Sequence, residues 1–314
     1  ADDGKLEWDD KVIDHLPDFR LMDEFATQEM TPVDLLSHQS GLPRHDLMWY
    51  GSPFSREEIY QRLRYLEPNK SFRSTWQYQN LMYLTAGVLI ERLSGQSWED
   101  YTRERIFEPL GMIQTGFSQE DETVQAEVAL PYFKQEEVVI NIPYRNISAV
   151  GPAGSIYSNV EDMLKWVRFN LDGGKVGEEQ VLAKDQLARL HRPVKVLENS
   201  RSPQSPELSD RTYGLGWFLY QYDGLDVVQH GGNIDGFSAY IFLLPRENVG
   251  MVLLTNLNGT PLPGILAMHA TDLLLGREPT DWYARVYGED KEEEEEDEAK
   301  EEAEPIAGTR PSHP

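Results

Sequence analysis

The residues best suited to chemistry begin with a tyrosine and an asparagine two positions apart. They lie in Trp76-Gln77-Tyr78-Gln79-Asn80, directly before a segment whose apolar residues recur at helical spacing. In an extended turn both side chains can point into one cleft, and the partial positive charge of a helix N-terminus favours a phenolate. Tyr78 could therefore relay protons. A tyrosine that only packs against a helix start is the alternative interpretation.

A second pattern joins a histidine to two glycines in His230-Gly231-Gly232-Asn233, between two strand-like segments. Glycines allow a ligand to approach the backbone closely. His230 could donate a hydrogen bond or carry positive charge, and a following backbone N–H could face an oxyanion. A glycine-rich turn around a hydrogen-bonded histidine is the alternative. A further histidine, His38, follows two leucines, which predicts a buried, hydrogen-bonded side chain.

The sequence gives little support to metal or nucleotide chemistry. It contains no cysteine, so thiolate ligands and a cysteine nucleophile are excluded. The seven histidines are scattered and show no metal-binding spacing. No phosphate-binding glycine loop is present either. We therefore expect neither a metal nor a cofactor.

Taken together and in order, several short segments resemble one family of serine hydrolases. This family comprises class C β-lactamases, DD-peptidases and penicillin-binding-protein-like esterases, and the resemblance runs from residue 4 to about residue 287. The segments that carry it are Ser37-His38-Gln39-Ser40-Gly41-Leu42, Tyr78-Gln79-Asn80, Glu108-Pro109-Leu110-Gly111-Met112, Gly151-Pro152-Ala153-Gly154-Ser155, Tyr213-Gly214-Leu215-Gly216-Trp217 and His230-Gly231-Gly232.

The resemblance implies roles for individual residues. Tyr78 is implied as the acid/base partner of the nucleophile, Asn80 as a substrate-positioning residue, and His230 as a source of electrostatic stabilisation beside the reacting carbonyl. The backbone N–H of Asn233 is implied as an oxyanion-hole donor. The implied substrate-binding residues are Gly231, Gly232, Asn233 and Ser155.

The family's nucleophile is the serine of a Ser-x-x-Lys motif. No serine or threonine of this sequence has lysine three positions later. Thr102 has Arg105 at that spacing, but an arginine stays protonated and could not act as the base. In relatives the motif precedes a segment like Gly4-Lys5-Leu6, together with two early strands of the sheet. We therefore expect a chain truncated upstream of its nucleophile and inactive alone. The alternatives are one half of a split enzyme and a non-catalytic ligand-binding pseudoenzyme.

The elements that must position these residues change in type along the chain. Capping patterns such as Thr31-Pro32-Val33-Asp34 mark helix starts, and Gly95 should end the helix that begins near Asn80. Towards the C-terminus, aromatic and β-branched segments separated by short turns predict antiparallel strands. These segments are residues 213–221, 226–229, 238–244 and 250–256. A final helix is predicted over residues 262–275. This order predicts an α+β fold, with an antiparallel sheet flanked by helices and a mostly helical subdomain.

Composition sets the remaining expectations. Residues 1–287 are predicted to form the incomplete hydrolase domain. Residues 288–304 form an acidic linker, and residues 305–314 start a removed C-terminal domain. The formal charge of −25 argues against nucleic-acid binding. No apolar run is long enough to span a membrane. The expected partners are a small-molecule or peptide substrate and a missing N-terminal segment supplied by another chain. Both an exported and a cytoplasmic location fit the sequence.

Overall fold

The computed structural model describes residues 1–118, 128–136, 138–198 and 207–286. The chain divides into two compact units, Ala1–Gly259 and Thr260–Pro314. All of the candidate site residues lie in the first unit. The predicted linker and C-terminal segment lie outside the described residues, so those boundaries remain predictions.

In the described residues, the first seven α-helices come before the first strand, and helices and strands are mixed after it. The α-helices are α1 Val12–His15, α2 Glu24–Glu29, α3 Pro32–Leu36, α4 Arg56–Arg62, α5 Asn80–Ser94, α6 Trp98–Thr102, α7 Glu108–Leu110, α8 Val160–Leu171, α9 Lys184–Leu190 and, in the second unit, α10 Leu262–Leu274. The strands are β1 Tyr132–Gln135, β2 Val138–Asn141, β3 Lys175–Val176, β4 Glu179–Gln180, β5 Lys195–Val196, β6 Thr212–Tyr213, β7 Phe218–Tyr222, β8 Leu225–Ile234, β9 Phe237–Leu244 and β10 Val249–Thr255.

The helix starts follow their capping residues closely. Thr31 and Asp34 form a reciprocal capping box at the start of α3. Helix α5 begins at Asn80 as predicted and ends at Gly95, whose φ of +76° favours glycine. Helix α8 is capped by the side chain of Asn159, which accepts a hydrogen bond from the amide of Asp162.

A six-stranded antiparallel sheet forms the centre of the first unit, in the order β10-β9-β8-β7-β6-β5. The predicted single strand over residues 213–221 is wrong, because a tight turn separates β6 from β7. In that turn the amide of Gly214 donates to the carbonyl of Trp217, and Gly216 takes a φ of +87°. A Cβ at Gly214 would lie 2.5 Å from the carbonyl oxygen of Leu190, so this turn also needs glycine for space.

Strand β8 is longer than the sequence suggested. The segment after Gln229 was expected to leave the strand, yet Gly231 pairs with Tyr240 and Gly232 with Ala239 in the ladder to β9. The two glycines therefore lie within a strand rather than in a turn.

The core has a helical part and a sheet part. The helical part buries Leu35, Leu81 and Leu84 completely. The sheet part packs Val167 of α8 among residues of β7, β8 and β9. Helix α8 also comes so close to β10 that a Cβ at Gly250 would lie 2.5 Å from Val167 Cγ1. The predicted α+β arrangement of helices around an antiparallel sheet is confirmed.

Candidate active site

The turn that carries Tyr78 is fixed by the buried residue that follows it. Gln79 caps α5, with its side-chain oxygen accepting a hydrogen bond from the amide of Leu81 at 2.9 Å. Its side-chain nitrogen donates to the carbonyl of Pro43. Gln79 is fully buried. These contacts place Tyr78 just before the helix and Asn80 at its first position, both half-buried.

The segment around His38 lies against this turn. The carbonyl of His38 accepts from the amide of Gln77 at 3.0 Å. Its imidazole Nδ1 accepts from the amide of Gln79, also at 3.0 Å. The side chain of Gln77 donates to the carbonyl of Gly41 at 3.1 Å. Two segments distant in sequence are thereby held together around Tyr78.

Tyr78 and His230 lie close together, with ring centroids 6.3 Å apart. The ring of His38 lies beside Tyr78, with centroids 4.4 Å apart. The rings of Trp76 and Phe218 extend this aromatic cluster, and Phe218 lies 5.3 Å from His230. The structure therefore brings the predicted tyrosine and the predicted histidine together.

The surroundings of Tyr78 keep its phenol protonated at neutral pH. Burial raises the pKa of Tyr78, the guanidinium of Arg44 opposes this rise, and the carboxylate of Asp46 adds to it. The Arg44 guanidinium carbon lies 5.1 Å from the centre of the Tyr78 ring. A cation close to the hydroxyl would oppose this rise, lower the pKa of Tyr78 and make the phenolate accessible.

Both ring nitrogens of His230 already have protein partners. Nδ1 lies 2.6 Å from the carbonyl oxygen of Gly231, and Nε2 lies 3.0 Å from the hydroxyl of Tyr213. Burial lowers the pKa of His230. The lowered pKa favours the neutral form of the ring.

Gly231, Gly232 and Asn233 form an open stretch of β8. The last pair between β7 and β8 joins Phe218 to Gln229, so within the described residues this stretch pairs with β9 alone. All three residues are exposed. Such an edge can hydrogen-bond an extended substrate backbone.

The side chain of Asn233 is itself structural. Its oxygen accepts from Ser238 Oγ at 3.0 Å and from the amide of Gly259 at 2.8 Å. These two bonds fix the end of β8. A backbone N–H held in this way meets the need of an oxyanion hole for a rigid donor.

The turn after Asn233 also contacts the loop of residues 44–53. Tyr50 donates to Asp235 Oδ1 at 2.6 Å. Arg145 contacts Asp235 Oδ2 through Nε at 3.0 Å. The loop of residues 44–53 is thereby held against the β8–β9 turn.

Ser155 has its described contacts elsewhere. Its buried hydroxyl lies 3.0 Å from the position that a Cβ of Gly151 would take, beside the side chains of Arg56 and Glu99. Those contacts do not connect it with Tyr78 or His230. Its predicted part in substrate binding remains a prediction.

Within the described residues, no group of three or more His, Cys, Asp or Glu side chains is placed to bind a metal ion. In the same part of the chain, every helix is too short or too polar to cross a lipid bilayer.

Comparison with known proteins identifies the family. Residues 1–275 match the family model described as Beta-lactamase. The chain therefore belongs to the β-lactamase family of serine hydrolases, and the family inferred from its motifs is confirmed.

The relatives agree with this assignment. The unguisins hydrolase ungD′ of Aspergillus campestris is 33% identical over 83% of this chain and 49% of its own length. Protein flp of Staphylococcus aureus is 25% identical over 85% of this chain and 51% of its own length. The chain thus spans about half the length of the curated relatives that it matches.

Solved structures confirm the β-lactamase-type fold. The octameric penicillin-binding-protein homologue from Pyrococcus abyssi superposes with a TM-score of 0.74 at 25% identity, covering 92% of this chain and 64% of its own. A class C β-lactamase superposes with a TM-score of 0.67 at 18% identity, covering 89% of this chain and 77% of its own.

Sequence reasoning missed Tyr213 as a neighbour of the site and took His38 as a simple buried residue. Burial of His38 is confirmed, at 1% exposure. Tyr213 belonged to a recognised segment, but only the pairing of β6 with β7 brings its hydroxyl to His230.

Proposed function

We propose that this chain supplies most of the active site of a serine hydrolase that cleaves a peptide, ester or β-lactam through an acyl-enzyme. In this proposal Tyr78 is the acid/base residue, Asn80 positions the substrate, and His230 and the Asn233 N–H stabilise the oxyanion. The serine comes from a Ser-x-x-Lys segment that is not part of the 314 residues. Gly231, Gly232 and Ser155 contact the substrate.

The observation that carries this proposal is the proximity of the Tyr78 and His230 rings, with centroids 6.3 Å apart, in a chain of this family. Tyr78 is half-buried, and the three residues that follow His230, Gly231 to Asn233, are exposed. A carbonyl bound along this stretch would lie within reach of both side chains.

The proposed chemistry transfers an acyl group twice. The serine oxygen forms a bond to the substrate carbonyl carbon while its proton passes to the lysine amine or to a Tyr78 phenolate. The bond to the leaving amine or alcohol then breaks, and the leaving group takes a proton from Tyr78. A water molecule next attacks the acyl carbon, its proton passes back through the same base, and the serine hydroxyl is restored.

The test uses the polypeptide translated from the complete reading frame that contains these residues. We expect a chromogenic ester or cephalosporin to leave an acyl adduct that mass spectrometry places on a serine followed three residues later by lysine. Tyr78→Phe should lower kcat by about 100-fold or more, because the group that protonates the leaving atom is lost.

The matched control is Tyr65→Phe, which removes a hydroxyl from a side chain that is 71% exposed and should leave kcat unchanged. The 314-residue chain alone should give no burst. Turnover by that pure chain would disprove an external serine. A reading frame without Ser-x-x-Lys whose product binds but does not cleave would establish a pseudoenzyme instead. Activity restored only by a second polypeptide would establish a split enzyme.

A further inference from the structure

The first observation concerns how the turn of Tyr78 is held. His38 bonds the amides on both sides of Tyr78, through its carbonyl to Gln77 and through its ring to Gln79. Its ring also packs on the Tyr78 ring, with centroids 4.4 Å apart. One residue therefore holds both the turn and the phenol ring through its carbonyl and its side chain.

The backbone of His38 is strained for this purpose. Its φ of +58° lies in the left-handed region, which few residues other than glycine adopt, and which strains a residue with a Cβ. The conformation points the carbonyl and the imidazole at the same turn. Burial lowers the pKa of His38 to about 3. Nδ1 therefore keeps the lone pair that accepts from Gln79 throughout the neutral range.

The second observation concerns the tautomer of His230. A carbonyl oxygen can only accept, so the 2.6 Å contact with Gly231 requires a proton on Nδ1. Nε2 of the neutral ring must then accept from the hydroxyl of Tyr213, at 3.0 Å. Tyr213 is fully buried, so the surrounding packing holds its hydroxyl in place.

His38, which holds the turn of Tyr78, and Tyr213, which contacts His230, lie against each other. The rings of His38 and Tyr213 have centroids 5.0 Å apart. Tyr83 packs against His38 at 5.1 Å and donates its hydroxyl to the carbonyl of Leu36 at 2.8 Å. A displacement of either holding residue would therefore change the separation of Tyr78 and His230.

We propose that His38 and Tyr213 form a positioning pair that sets the geometry of Tyr78 and His230 relative to each other. This inference rests on the proposed function, because it assigns the pair to the same acyl-transfer site. His38 holds the turn of Tyr78, and Tyr213 anchors Nε2 of His230 and so fixes the angle of its ring. Neither residue exchanges a proton with the substrate.

The role of Tyr213 is tested with Tyr213→Phe in the polypeptide from the complete reading frame. The change removes one hydroxyl and keeps the ring. We expect kcat to fall about tenfold, as for the loss of one hydrogen bond, with KM changed less than twofold. The ¹⁵N signal of His230 Nε2 should shift because that nitrogen loses its hydrogen bond, while the proton stays on Nδ1. The control Tyr65→Phe should change neither quantity.

The His38 arm is tested with two amides of different length. Asparagine places its oxygen near the position of Nδ1 and can still accept from Gln79. Glutamine places its end group near Nε2 and cannot accept from Gln79. We expect His38→Asn to retain kcat within about threefold and His38→Gln to lose about tenfold. Hydrogen exchange of the Gln79 amide should quicken only in the glutamine variant.

The outcomes separate the two proposals. The spectrum of His230 and the exchange of the Gln79 amide need no turnover, so they test the positioning pair even in an inactive protein. If the wild-type protein forms no acyl adduct, the proposed function fails. If it acylates and all three variants match it in kcat, in the Nε2 signal of His230 and in amide exchange, the positioning pair fails while the proposed function stands. Equal losses in His38→Asn and His38→Gln would also overturn the His38 arm.

Discussion

At the scale of single residues, burial favours the neutral form of three histidines. Burial lowers the pKa of His38 to about 3 and that of His191 to about 4, and it also lowers the pKa of His230. For His38, the positive charge of Arg44 lowers the pKa further. The unfolded chain has no such burial, so its histidines protonate near their ordinary pKa of about 6.5.

These shifts predict that acid weakens the fold before its carboxylates titrate. Between pH 6.5 and about 4 the unfolded state binds more protons than the native state, so the free energy of unfolding falls as pH falls. Each such histidine contributes up to about 1.4 kcal/mol per pH unit. His38→Asn should reduce the slope by one histidine's share. Urea unfolding at several pH values measures this in the polypeptide from the complete reading frame.

The control for the acid prediction is His269→Asn, which replaces an exposed histidine and should leave the slope unchanged. Curves of equal slope for the wild type and His38→Asn would contradict the prediction.

Residue types in order along the chain were enough to select Tyr78, Asn80 and His230, because few families place these segments in this order. The positioning residues could not be found in the same way. The tyrosine at 213 differs from the other tyrosines only in where the β6–β7 turn places its hydroxyl. The left-handed backbone conformation of His38 could not be predicted from the sequence, since glycine or asparagine is the more common residue in that conformation.

At the scale of elements, contacts between residues close in sequence set the ends of the helices, whereas pairing between distant segments set the extent of the strands. The capping box of Thr31 and the terminal Gly95 act within a few residues, so their positions were predictable. The continuation of β8 through two glycines was not, because glycine disfavours strands locally and only the ladder to β9 holds it there.

The β8–β9 turn gives the clearest test at this scale. Gly236 has a φ of +87°, and a Cβ there would lie 2.6 Å from Pro131 Cα. Gly236→Ala must strain the backbone and also push the Pro131 segment away. We expect a loss of roughly 2–4 kcal/mol in the free energy of unfolding, with kcat reduced because Asn233 moves.

Gly224 is the matched control for this change. Its φ is +82°, but a Cβ there would meet nothing within 4 Å. Gly224→Ala therefore has the backbone strain without the collision and should cost about 1 kcal/mol. Equal losses for the two glycines in urea unfolding would show that the Pro131 contact contributes nothing.

At the scale of the whole molecule, the sheet of the described residues ends at an apolar strand. β10 lies at one edge and pairs with β9 alone in that sheet. Its seven residues, VGMVLLT, include neither a charge nor a proline. Edge strands of this composition are templates for pairing with another chain. We therefore expect β10 to accept a further strand.

The edge of β10 therefore predicts how the isolated 314-residue chain behaves. It should associate into oligomers or aggregates, and light scattering coupled to size-exclusion chromatography measures this directly.

Leu254→Lys, at a β10 position that is 39% exposed, should reduce association because a charged edge resists pairing. Leu47→Lys, at a side chain that is 88% exposed and outside the sheet, adds the same charge and should not. A monomeric, cooperatively unfolding preparation of the isolated chain would mean that β10 needs no partner strand.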